Sequence, residues 1–179
     1  MIIKTSNIPV DLLDVTRASV NFFVDTYFDK RMKNRTESIT VAFRSFTGDD
    51  LACALPVEDG ERRLPREFLI EVNNMYRDIP VREYVVTLMH EMVHVKQYCC
   101  GDLKQIHLKS LWKGQEIDEV KVDYWDHPWE REAMSIEYGA YTKFVEANPA
   151  FGLLQFKPTY TGRAATGWKS PARKPLANQ

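Results

Sequence analysis

His90-Glu91-Met92-Val93-His94 sets two imidazoles four residues apart with a carboxylate between them. On a helix such residues stand one above the other, so both rings reach one metal ion while Glu91 flanks a water bound to it. The chemistry offered is hydrolysis by a metal-activated water, and zinc is the ion that suits it. The competing reading is a pair of core histidines satisfied by hydrogen bonds. Val81 to Tyr98 holds neither Pro nor Gly, which predicts one helix across the motif with Pro80 at its first turn. Val86, Met89, Val93 and Gln97 mark one stripe on it, and Val85, Leu88 and Met92 its neighbour. The helix is therefore expected to be largely buried. Two histidines and a glutamate left unpaired there would be costly, and a metal relieves that cost.

A hydrolytic zinc takes three protein ligands and keeps one position open. The third is sought between Asp126 and Tyr138, where Asp126 or His127 can cap a helix, Pro128 fits its first turn, and Glu130, Glu132 and Glu137 are offered. At about 100° per residue, Trp129, Ala133, Ile136, Ala140 and Phe144 share one apolar face. Glu130 and Glu137 fall within that face. Glu132 groups with Arg131, Ser135, Thr142, Lys143 and Glu146. Buried carboxylates need a partner, so Glu130 is the expected third ligand and Glu132 the alternative. Glu137, two turns along from Glu130, is expected to accept a hydrogen bond from a ligand or a backbone group. If Glu132 is not a ligand, it is a solvated carboxylate favoured by the helix dipole.

H-E-x-x-H followed by a glutamate in an E-x-x-A setting, here Glu130-Arg131-Glu132-Ala133, resembles the gluzincin metallopeptidases. In size the chain is most similar to compact single-domain peptidases and zincin-like proteins of bacteria and phages. The resemblance covers roughly Ser38 to Phe144 and is specific for the metal site. It implies a zincin-like α+β domain with zinc on His90, His94 and a glutamate, and Glu91 as general base. Reading the Glu-Ala pair directly selects Glu132. In many such enzymes an Asp or Asn stands four residues after the ligand; here those positions are Met134 after Glu130 and Ile136 after Glu132.

The elements that must position these residues follow from patterning. Pro9 to Met32 carries helical apolar spacing and predicts a long N-terminal helix. Ser38 to Phe46, Leu51 to Val57 and Phe68 to Val72 alternate or are β-rich and predict three strands of a small mixed sheet, with Gly48-Asp49-Asp50 turning the first. The His helix and a glutamate helix complete an α+β order. Between them, Leu108 to Trp112 and Glu119 to Trp125, separated around Gly114, are expected to form a hairpin or a lid. Tyr124, His107 and His127 can each donate to an oxyanion there; the alternative makes Tyr124, Trp125 and Trp129 core aromatics and His127 a helix-start residue.

With 179 residues and 44% hydrophobic content, the chain suits one domain, expected over residues 1–147. Residues 148–179 are Pro-rich and lack acidic groups after Glu146, while Lys157, Arg163, Lys169, Arg173 and Lys174 are basic. They are expected to form an extended or disordered basic tail. Without regularly interleaved aromatics, the tail does not read as a nucleic-acid module. Cys53, Cys99 and Cys100 are odd in number and do not suit a disulfide framework, so buried free thiols are expected. No apolar run is long enough for a membrane span and the start lacks a signal-peptide layout, which predicts a cytoplasmic protein without a membrane partner. The expected function is that of a zinc metallopeptidase whose peptide or protein substrate lies antiparallel along an edge strand. The alternative is a catalytically silent zincin-like regulatory or binding protein with structural zinc. Glu91 weighs against it, since a structural site has no use for a general base.

Overall fold

The computed structural model describes residues 1–46, 50–57, 64–106 and 109–152. Alternation decides the main sheet. Strands β1 (Ile2–Ser6), β2 (Ser38–Arg44), β3 (Ala52–Pro56) and β4 (Glu67–Asn73) run in the order β1-β2-β4-β3. β1, β2 and β4 are parallel, and β3 is antiparallel to β4. The register pairs Ile39 with Phe68, Val41 with Ile70 and Phe43 with Val72, and all six are fully buried. The opposite face is polar: Lys4 lies 3.9 Å from Glu67 and Arg44 2.8 Å from Glu71. One face is thus core and the other wet, which fixes the register because a one-residue slip would exchange them. The strand β1 is an addition to the three expected from the sequence. It is short and only half-covered, so its own pattern is weak, and its pairing with β2 creates it.

The expected N-terminal helix is broken into a 3₁₀ turn at Val10–Leu12, α1 (Leu13–Tyr27) and α2 (Lys30–Arg35). Phe28 is extended, with φ −93° and ψ 130°, and Asp29 caps the new helix by accepting from the Met32 amide at 2.7 Å. A capping aspartate competes with helix continuation, and it does so here just after Phe28 turns into the core. Helix α3 (Val81–Cys100) carries the H-E-x-x-H motif and packs on the sheet through Tyr84, whose ring stacks on Phe43 at 5.8 Å. It stops at Gly101, whose φ of 81° is left-handed and whose amide reaches back to the Gln97 and Tyr98 carbonyls.

Between the metal-motif helix and the last long helix lie β5 (Leu103–Ile106), β6 (Lys109–Trp112) and β7 (Gln115–Ile117), an antiparallel sheet. Lys113 and Gly114, at φ 50° and 84°, make the two-residue turn between β6 and β7. The hairpin therefore forms around Gly114, but Glu119 to Trp125 is not its second strand: it is turn and bend leading to a 3₁₀ turn at Tyr124–Asp126. His107 lies outside the described residues. Helix α4 (Pro128–Ala147) follows with Pro128 in its first turn, and α5 (Pro149–Gly152) begins inside the segment expected to be extended. Phe151 stacks on Phe144 at 5.7 Å, giving that turn an apolar anchor. The rest of the tail lies outside the described residues. All three cysteines are free, but only Cys99 is buried; Cys53 is half-buried and Cys100 exposed. No described helix is long and apolar enough to cross a membrane.

Candidate metal centre

Helices α3 and α4 pack together so that His90, His94 and Glu130 converge. Nε2 of His90 and Nε2 of His94 are 3.0 Å apart, Nε2 of His90 is 3.1 Å from one Glu130 oxygen, and Nε2 of His94 is 3.5 Å from the other. One ligand atom from each residue lies within 4.8 Å of the others, so this group can hold a metal ion. A tetrahedral zinc at its usual bond lengths spaces its ligand atoms about 3.3 Å apart. The observed edges bracket that value.

The far side of each ring fixes its orientation. Nδ1 of His90 donates to Glu137 at 2.7 Å, and Nδ1 of His94 donates to the Gln97 side-chain oxygen at 2.8 Å. With Nδ1 turned outward as a donor, Nε2 faces inward on both rings and can ligate once it carries no proton. Gln97 is itself locked: its amide donates to the Trp129 carbonyl at 3.0 Å and to Glu132 at 2.9 Å. Glu132 is therefore not one of the three converging donors, and it is not freely solvated. It sits outside the cluster and serves Gln97, with Lys113 3.8 Å away. The wheel placed it on the wet side, and α3 and the turn of the small sheet then supplied it with partners.

Electrostatics follow the same geometry. Burial pulls the His90 imidazole down, but hydrogen bonds to Glu130 and Glu137 and the Glu91 charge carry it up to about 10. Burial likewise opposes the His94 cation, yet the bond to Glu130 and the charge of Glu91 raise it. For Glu130, burial works against the carboxylate, while the two histidines outweigh it and hold the group down at about 2. Glu91 is raised, first by burial. It is 5% exposed and its Oε2 has no hydrogen-bond partner among the described residues.

Glu91, His94 and Glu130 line a cleft of about 210 Å³, whose other walls come from Asp50 to Leu55, the small sheet and the segment before α4. A larger depression beside α2 shares no residue with it and carries no such ligand set. His127 is buried at 4% and stacks on Trp129 with ring centroids 4.6 Å apart, and its Nε2 has no hydrogen-bond partner among the described residues. It occupies the start of α4, but neither its side chain nor that of Asp126 caps the helix. Trp129 is core, as one expectation had it. Tyr124 and Trp125 are not: they are 51% and 43% exposed, because the segment turns outward instead of forming a strand. Gln97 is the functional residue that the helical stripe concealed. Its signal was its position three residues after His94, where it shares that ring's face. Comparison of the chain with protein-family models, with curated proteins and with solved structures finds no match.

Proposed function

We propose that this protein is a zincin-like zinc metallopeptidase. The observation that carries the proposal is a buried Glu91, whose Oε2 has no hydrogen-bond partner among the described residues, beside two inward-facing imidazole nitrogens and the Glu130 carboxylate. The donor set fits zinc: two imidazoles oriented through Nδ1 that would be neutral once zinc displaces their protons, one carboxylate, and ligand edges near the tetrahedral value. Bound on His90, His94 and Glu130, zinc would lower the pKa of a water from about 16 towards 7 and polarise a carbonyl. Glu91, made more basic by burial, takes a proton at Oε2 and returns it to the leaving amine. Tyr124 and His127 line the same cleft, where the phenol and the free Nε2 can donate to an oxyanion. β3 is an edge strand along that cleft, so a peptide can add antiparallel to it with main-chain hydrogen bonds.

Replacing Glu91 tests the reading. Glu91→Gln keeps size and leaves the three ligands in place, so the protein should stay folded and hold about one zinc per chain. Hydrolysis of a mixed peptide library should fall by a hundredfold or more, the scale of a lost general base. A natural partner bound equally by wild type and Glu91→Gln, and left uncut by both with zinc loaded, would instead make this a metal-stabilised binding protein.

A further inference from the structure

Beyond the ligands and Glu91, the cleft holds two further carboxylates. Asp50, just before β3, and Glu119, just after β7, both line it, and no Lys or Arg does among the described residues. Glu119 is not a loose surface group: one of its oxygens accepts from the hydroxyl of Ser110, which is 2% exposed on the cleft side of β6. Glu119 is an exposed residue, yet its carboxylate is tethered at the cleft by that hydroxyl. The lip that follows adds Asp123 and Asp126, with Lys121 engaged by Asp118 at 2.8 Å. It also presents the half-exposed rings of Tyr124 and Trp125, stacked edge to face at 5.1 Å.

The acidity reaches the floor. Burial raises Cys53 to about 11, helped by the charges of Glu91, Glu71 and Asp50. Burial also raises the Tyr98 hydroxyl, with Glu91 and Glu119 adding to it. A divalent ion held on His90, His94 and Glu130, with Glu91 beside it, would be balanced by the two glutamates, leaving the charges of Asp50 and Glu119 over. The buried His127, whose Nε2 has no partner among the described residues, lines the same cleft and offers a polar ligand a hydrogen bond.

We infer that the cleft selects a substrate bearing a cationic side chain, lysine or arginine, seated between Asp50 and Glu119 under the aromatic lip of Tyr124 and Trp125. Carboxylates within a half-enclosed cleft attract a cation more strongly than they would in open water. An aromatic face nearby adds a cation–π contribution and covers the aliphatic stem. An acidic side chain there would meet only like charge. This inference rests on the peptidase reading for the identity of the ligand as a peptide, and names its class.

The test is peptide binding to the zinc-loaded Glu91→Gln protein, read by fluorescence anisotropy. The probes are labelled alanine-based octapeptides that differ only in one scanned residue: arginine, leucine or glutamate. Arginine peptides should bind about tenfold more tightly than glutamate peptides, the sum expected from two partly screened charge pairs. The double variant Asp50→Asn, Glu119→Gln should bring that ratio to within about twofold, while Glu83→Gln, an exposed carboxylate away from the cleft, should preserve it. If Glu91→Gln does not fold, backbone N-methylated peptides on the wild type give the same reading. Equal binding of arginine and glutamate peptides, or a preference that survives the double variant, overturns the inference. Cutting of peptides by wild type without charge preference sinks only this inference. An arginine preference with no peptide cut sinks only the peptidase reading.

Discussion

The two walls of the cleft are built on opposite principles. On the wall made by α3 and α4, polar atoms are buried and chained: Glu137 holds His90, Gln97 holds His94, and Trp129 and Glu132 hold Gln97. The facing wall of β3, the small sheet and the lip has exposed aromatics and carboxylates tethered at one point, as Glu119 is to Ser110. Ligand atoms must be held within fractions of an ångström, which needs helices and a network of fixed partners. Side-chain selection needs only charge and reach, which loops on a rigid frame supply. The contrast teaches that, on the proposed reading, the metal-holding wall and the selecting wall can be altered separately.

The comparison breaks most completely on the helix wall. His90→Ala, His94→Ala or Glu130→Ala each removes one of the three converging donors, and each should abolish stoichiometric zinc binding measured by atomic absorption after dialysis. Retention of one zinc per chain in any of them would move the metal elsewhere. Nickel, cobalt and manganese should be assayed in parallel, since imidazole and carboxylate donors admit them.

A smaller effect is expected one layer out. Gln97→Ala and Glu137→Gln leave all three ligands but free the far nitrogen of one histidine, and zinc affinity should drop by about 10- to 100-fold for each. Glu132→Gln touches only the partner of Gln97 and should cost a few-fold at most. A chelator-competition titration ranks the three, and an equal loss for Glu132→Gln would make that carboxylate a ligand after all.

The smallest signal is the proton count, and it sharpens the contrast because only the helix wall titrates this way. Without metal, His90 is raised to about 10 from an ordinary 6.5 by its bonds to Glu130 and Glu137 acting against burial. It is therefore protonated at neutral pH, and zinc must displace that proton. Titration calorimetry at pH 7 in buffers of different ionisation heat should show net proton release on zinc binding, with affinity rising with pH until about 10. The linked stability has the opposite sign: the raised His90 stabilises the metal-free fold fully below 6.5, and that contribution is lost as the pH rises through about 10. No proton release would mean that His90 is neutral in the metal-free protein.

Much of the helix wall was legible in the chain. The i,i+4 spacing of His90 and His94 and the helical phase of Glu130 and Glu137 are local quantities, set by 3.6 residues per turn and by which face is apolar. They placed His90, His94 and Glu130 together and set Glu137 apart as the acceptor behind a ligand, where it meets His90. The three central strands announced themselves by alternation for the same reason. The break at Phe28–Asp29, the added strand β1 and the outward turn of Tyr124 and Trp125 did not, because each depends on a partner distant in sequence or on a cap that outcompetes continued helix. The pairing of Gln97 with His94, Glu132 and Trp129 belongs to that second group. A glutamine on a buried stripe reads as an inconsistency until a second helix brings it a carbonyl and a carboxylate. What the sequence alone determined was the identity and phase of the groups that can face one ion. Only the tertiary structure decided which of them are held, by whom, and that the wall opposite is acidic, since those are properties of the distances between elements rather than of the residues along one of them.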